Sequence, residues 1–133
     1  MTVRKVTKAA LGASAAALSL VLGFSGTAFA GDNSSATVEG VTGFPAGSEQ
    51  CDNGYFCLFT GPGATGTVFR LYQCKEYNLY NWNGIGSWEN WNNGGAHALI
   101  QDKNYNTLID SDPGNNVNDE SYDFTPVWHV KAC

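Results

Sequence analysis

Two histidines, His97 and His129, are the only imidazoles in the chain, and each is a possible general base. A hydrolase would need one of them beside a nucleophile, yet no GxSxG or HExxH motif is present. Glu89, Asp102, Asp110 and Asp112 are close enough in sequence to suggest a glycosidase pair. A chain with twelve acidic residues always supplies such pairs, and nothing fixes their separation. The segment Asp102-Lys103-Asn104-Tyr105-Asn106 imitates the opening of an EF-hand loop, but Thr107 stands where the glycine is needed and Pro113 where the bidentate Glu belongs. No enzyme is expected from these residues.

The cysteines are more informative. Cys51, Cys57, Cys74 and Cys133 form an even set without CxxC or Cys/His spacing, which argues against zinc or redox chemistry and for two disulfides in an exported domain. Export is expected from residues 1–30. Arg4, Lys5 and Lys8 precede an apolar run, and Ala28-Phe29-Ala30 is a small-x-small cleavage site. The run is shorter than a membrane span requires, so residues 1–30 read as a cleaved signal peptide and the protein as secreted. That leader contains three of the seven basic residues and none of the acidic ones, so the remainder has a net charge of −8. Such a surface repels phosphate backbones and anionic lipids, which excludes nucleic acid and membrane as expected partners.

Four cysteines allow three pairings, and the elements around them suggest one. Tyr55 to Phe59 and Val68 to Tyr72 are aromatic and β-branched, and the Gly/Pro-rich segment between them is turn chemistry, so a hairpin is expected. Opposing residue numbers sum to about 127 in that hairpin, which puts Phe56, Leu58, Phe69 and Leu71 on the core face. Cys51 and Cys74 then lie diagonally across the other face. Their pairing is favoured, leaving Cys57 with Cys133.

The rest reads as short strands: residues 84–91, 96–101, 107–110 and 122–130, with Trp128 and Val130 on one face of the last. Residues 31–50 are small, polar and broken by Gly and Pro, and are expected to be a flexible arm. Residues 75–83 read as a connection and 112–120 as a polar loop. A shift of 41 residues lays HALIQ, from His97, over FCLFT, from Phe56, so two similar units follow one another. The repeat assigns His97 to the core and, through Trp88, assigns Trp128 there too; His129 is expected to be solvated. An all-β sandwich of two Greek keys follows.

FCLFTGPGATG followed by Asn-Gly-Ile-Gly-Ser resembles the βγ-crystallin Greek-key pattern. The longer arrangement CDNGYFCLFTG, GTVFRLYQC, YNLYNWNGIGSWENW, GGAHALIQDKNYN and VWHVKAC is similar to a secreted bacterial peptidase inhibitor family whose founding members inhibit metalloproteinases. The resemblance covers residues 51–133, the expected inhibitor domain. It implies a βγ-crystallin-like fold with two disulfides and an extracellular protease as partner; the chain is expected to be a monomer without cofactor. Microbial βγ-crystallins also bind calcium through a clamp, of which Asn83 and Ser87 are present here while Trp82 and Gly86 replace polar ligands. Calcium needs six to eight oxygens, so two lost donors argue against the site.

An inhibitor needs an exposed loop on a rigid frame. Residues 78–85 are the first choice, with Leu79, Tyr80, Trp82 and Ile85 as the apolar contacts, and residues 110–120 the second. The alternative reading is a non-inhibitory βγ-crystallin module that binds calcium or a cell-surface glycan.

Overall fold

The computed structural model describes residues 32–47, 51–112 and 117–133. The expected signal peptide lies outside them. Among the described residues there is no helix, and ten strands form two antiparallel five-stranded sheets. They are β1 (Thr37–Val38), β2 (Gly43–Pro45), β3 (Phe56–Gly61), β4 (Thr65–Leu71), β5 (Glu76–Tyr80), β6 (Ile85–Asn90), β7 (Ala98–Gln101), β8 (Thr107–Ser111), β9 (Val117–Asp123) and β10 (His129–Lys131). One sheet runs β1-β5-β10-β7-β8 and the other β2-β4-β3-β6-β9.

The β3–β4 hairpin has the expected register. Phe56 faces Leu71 and Leu58 faces Phe69, and all four are buried between the sheets. Near the turn the register slips at a bulge, and Thr60 does not pair with Thr67 through the backbone; its hydroxyl accepts the Thr67 N–H instead. The same 41-residue shift that relates the two sequence units lays β3 to β6 over β7 to β10. In each unit the first strand pairs with the second and the fourth, while the third crosses to the opposite sheet: β5 pairs with β10, and β9 with β6. The two units are therefore interlocked Greek keys with a single core between them.

Several elements differ from the sequence expectation, each for a physical reason. Residues 32–47 are not a loose arm. β1 pairs with β5 and β2 with β4, and Ala36 and Val38 enter the core. Residues 75–83 contain β5, whose Tyr77 and Leu79 point inward, and β9 occupies much of the expected polar loop. The closing strand is only β10, because residues 124–128 turn so that Phe124 and Val127 reach the core.

The disulfide pairing is also corrected. Cys51 is joined to Cys57 and Cys74 to Cys133. The chain between Cys51 and Cys57 doubles back at Gly54, whose φ of 93° is accessible to glycine and strained for other residues. Cys51 thus lands over Cys57 on the outer face of the hairpin, in a second small apolar cluster with Phe59 and Val68.

One buried polar side chain ties the first residues to the centre of the chain. The Asn33 carbonyl oxygen accepts the backbone N–H groups of Asn83 and Gly84, at 2.8 and 2.9 Å, and its amide donates to Thr60 O at 3.1 Å. Asn33→Ala should strip partners from two backbone donors and one acceptor at once. A loss of about 2–3 kcal/mol in urea unfolding is expected, and a loss below about 0.5 kcal/mol would show that water replaces the amide.

Candidate functional site

The β5–β6 connection, residues 81–84, and its counterpart in the second unit, residues 124–128, meet at one end of the sandwich. Phe124 N donates to Gly84 O and Leu79 N to Trp128 O, so backbone bonds hold the two loops together. Between them lies a shallow cavity of about 260 Å³, lined by residues 79–83 and by Thr125, Val127 and Trp128.

Of the four expected contact residues, two are not available to a partner. Leu79 is 4% exposed and Trp82 3% exposed. Trp82 packs against Phe69 and Phe124, with ring centroids 5.8 and 4.7 Å apart, and its indole N–H donates to Thr37 O. It is buried although it lies in a loop, because the β1 segment lies across it. Tyr80 and Ile85 are exposed, at 49% and 44%, and only Tyr80 lines the cavity. Its partner across the cavity is Trp128, 51% exposed. The expectation that Trp128 is core fails because Trp128 precedes β10, in the connection after β9, and the inward place on β10 belongs to Val130. The 41-residue shift gives no signal for this, since it lays Trp128 on the buried Ser87 and the core residue Val130 on Glu89.

The histidines are exchanged relative to expectation. His97 precedes β7, is exposed, and has its Nδ1 2.7 Å from Asp110 Oδ1. His129 is half-buried. Its Nδ1 lies 2.8 Å from Asn78 Oδ1, and Tyr105 stacks flat upon its ring at 4.0 Å. Neither imidazole is hydrogen-bonded to a hydroxyl or thiol among the described residues, and all four cysteines are in disulfides.

The calcium-clamp positions have structural work. The Ser87 hydroxyl, buried, donates to Gly61 O and accepts the Ala64 N–H, fixing the β3–β4 turn. A side chain at Gly86 would collide with Phe59 O and the Phe124 ring, so this position cannot carry a ligand. The EF-hand-like segment is the β7–β8 turn. The Asp102 carboxylate accepts the N–H groups of Asn104 and Asn106 and the Asn106 side-chain amide. These bonds, the Asn106 amide foremost, hold its carboxyl below the ordinary carboxylate value.

A second groove, of about 400 Å³, lies along the β2–β4 edge, between residues 40–44 and residues 70–77. It is lined in part by Phe44, Tyr55, Arg70 and Tyr72. The Arg70 guanidinium lies over the Tyr55 ring at 4.3 Å and pairs with Asp52.

The arrangement offers binding rather than turnover: rigid aromatic side chains on disulfide-linked strands, with imidazoles engaged in local hydrogen bonds. Among the described residues no group of three or more His, Cys, Asp or Glu side chains is placed to hold a metal, and no helix is long and apolar enough to cross a membrane. Residues 45–111, from β2 to β8, match the family model of peptidase inhibitor family I36. No curated protein and no solved structure matches the chain.

Proposed function

The chain belongs to peptidase inhibitor family I36, a family of inhibitors and not of enzymes, and from this premise we propose that it is a secreted monomer that blocks the active-site cleft of an extracellular metalloproteinase. The observation that carries the reading is the pair Tyr80 and Trp128. Two half-exposed aromatic side chains flank one cavity and are held by loops that the core and the backbone fix in place. Such anchors dominate protein interfaces, because they bury large area at small entropic loss. The metalloproteinase class follows from the founding members of the resembling family. An apolar anchor of this kind also suits a cleft that accepts large apolar side chains.

The test is titration against a panel of secreted metallo-, serine and cysteine peptidases. Micromolar or tighter inhibition of a metalloproteinase is expected, and no inhibition anywhere in the panel would refute the reading. Tyr80→Ala and Trp128→Ala should each weaken inhibition by about thirtyfold, equivalent to about 2 kcal/mol, with unfolding unchanged. Tyr72→Ala, on the other sheet, should leave inhibition intact.

A further inference from the structure

Among the described residues, three other than glycine have positive φ: Ala64 at 57°, Asn81 at 60° and Tyr105 at 63°. Asn81 is a residue type that tolerates this conformation, and Ala64 is small. Tyr105 is neither. A shift of 41 residues superimposes Tyr105 on Ala64, so the first-strand hairpin of each unit requires a left-handed residue at the same point. At this position the first unit has a half-buried Ala, and the second has an aromatic side chain that is 55% exposed. Glycine would meet the backbone requirement without strain.

The turn around Tyr105 is tightly held. Asp102 N donates to Asn106 O at 3.0 Å and Tyr105 N to Asp102 O at 3.1 Å, while the Asp102 carboxylate bonds three further donors. The Tyr105 ring lies within 11° of parallel to His129, the residue after Trp128. His129 is in turn bonded to Asn78, two residues before Tyr80. Tyr105 thus packs on a histidine that neighbours Trp128 in the chain and is bonded two residues from Tyr80, with one ring face against the imidazole and more than half of its surface in solvent.

An unfavourable backbone conformation, kept rigid and used to display an aromatic ring, is the pattern expected of a binding residue rather than of a packing residue. We infer that Tyr105 is a further anchor for the target peptidase, a specificity-determining residue that enters an apolar subsite beside the one reached by Tyr80 and Trp128. The inference rests on the inhibitor reading above. The partner it fits is a peptidase whose cleft is flanked by an apolar depression able to take a phenol ring, reached from the β7–β8 turn.

Tyr105→Gly separates the two roles, because glycine relieves the backbone strain while deleting the ring. Tested against the peptidase that the wild-type protein inhibits, this variant should melt at or above the wild-type temperature and inhibit about tenfold less well or worse. Tyr105→Phe should restore inhibition to near the wild-type level. Wild-type inhibition by Tyr105→Gly would overturn the inference while leaving the Tyr80 and Trp128 reading standing. A melting temperature several degrees lower, with inhibition unchanged, would show that Tyr105 only covers His129 and would overturn it too. Failure of the wild-type protein to inhibit any peptidase removes the functional reading itself, and the anchor with it.

Discussion

Replacing Cys74 and Cys133 together by Ser is expected to destabilise the fold by about 4 kcal/mol, against about 2 kcal/mol for the same change at Cys51 and Cys57. The difference follows from loop length: the first pair is 59 residues apart in sequence and the second 6. In the chain-entropy account, a bridge restricts the unfolded state more when it closes a longer loop. Position adds to the effect. Cys133 follows β10, the central strand of its sheet, and Asn92 donates to Ala132 O just before it. Urea unfolding of the two double variants, monitored by circular dichroism, gives the comparison. Equal losses would mean that local packing, and not loop closure, sets what each bridge contributes. Against a total stability of about 5–15 kcal/mol for a domain of this size, losing the longer bridge removes a large share.

Trp82→Ala should cost about as much again, about 3–5 kcal/mol. The indole fills the space between Phe69 of one sheet and Phe124 of the second unit, and its N–H satisfies a carbonyl of β1. Removing it leaves a cavity at the junction of both units and the N-terminal strand, with Thr37 O short of a donor. Inhibition should fall with stability in this variant, whereas Trp128→Ala should lose inhibition alone. A loss below about 1 kcal/mol would contradict the placement of Trp82 in the core.

How much of this could be read in the sequence depended on how each segment is buried. The β3–β4 register was legible because four large apolar residues alternate on strands joined by an obvious turn. The repeat was legible because FCLFT and HALIQ are similar short apolar runs that precede a turn, although the inward residues are Phe56 and Leu58 in one and Ala98 and Ile100 in the other. β1 and β2 were not, since strands of two and three residues have no alternation to show. β9 was hidden by composition: VNDESYD is an acidic edge strand, of the kind that discourages further pairing. The disulfide pairing was missed although the hairpin register was right, because the register says nothing about how residues 51–55 approach it. Half of the proposed contact loop was misread for a similar reason. Whether Trp82 is buried depends on residues 33–38, distant in sequence and unremarkable in composition. Tyr105 gave no sign, because backbone conformation at one turn position is not written in residue type when the residue is an unusual choice for it.

The crossing of β5 and β9 between the sheets has a consequence for how the protein can come into being. The central strand β10 is made after β1 to β9, and until it arrives β5 and β7 have no neighbour between them. Neither unit has a finished sheet without the other, so no half of the chain is a stable stopping point during synthesis. A chain cut short before residue 129 would present two open strand edges to any similar chain nearby. The topology itself thereby tests for the presence of β10: a chain that contains it can close its sheets, and one cut short before it remains a substrate for aggregation or degradation.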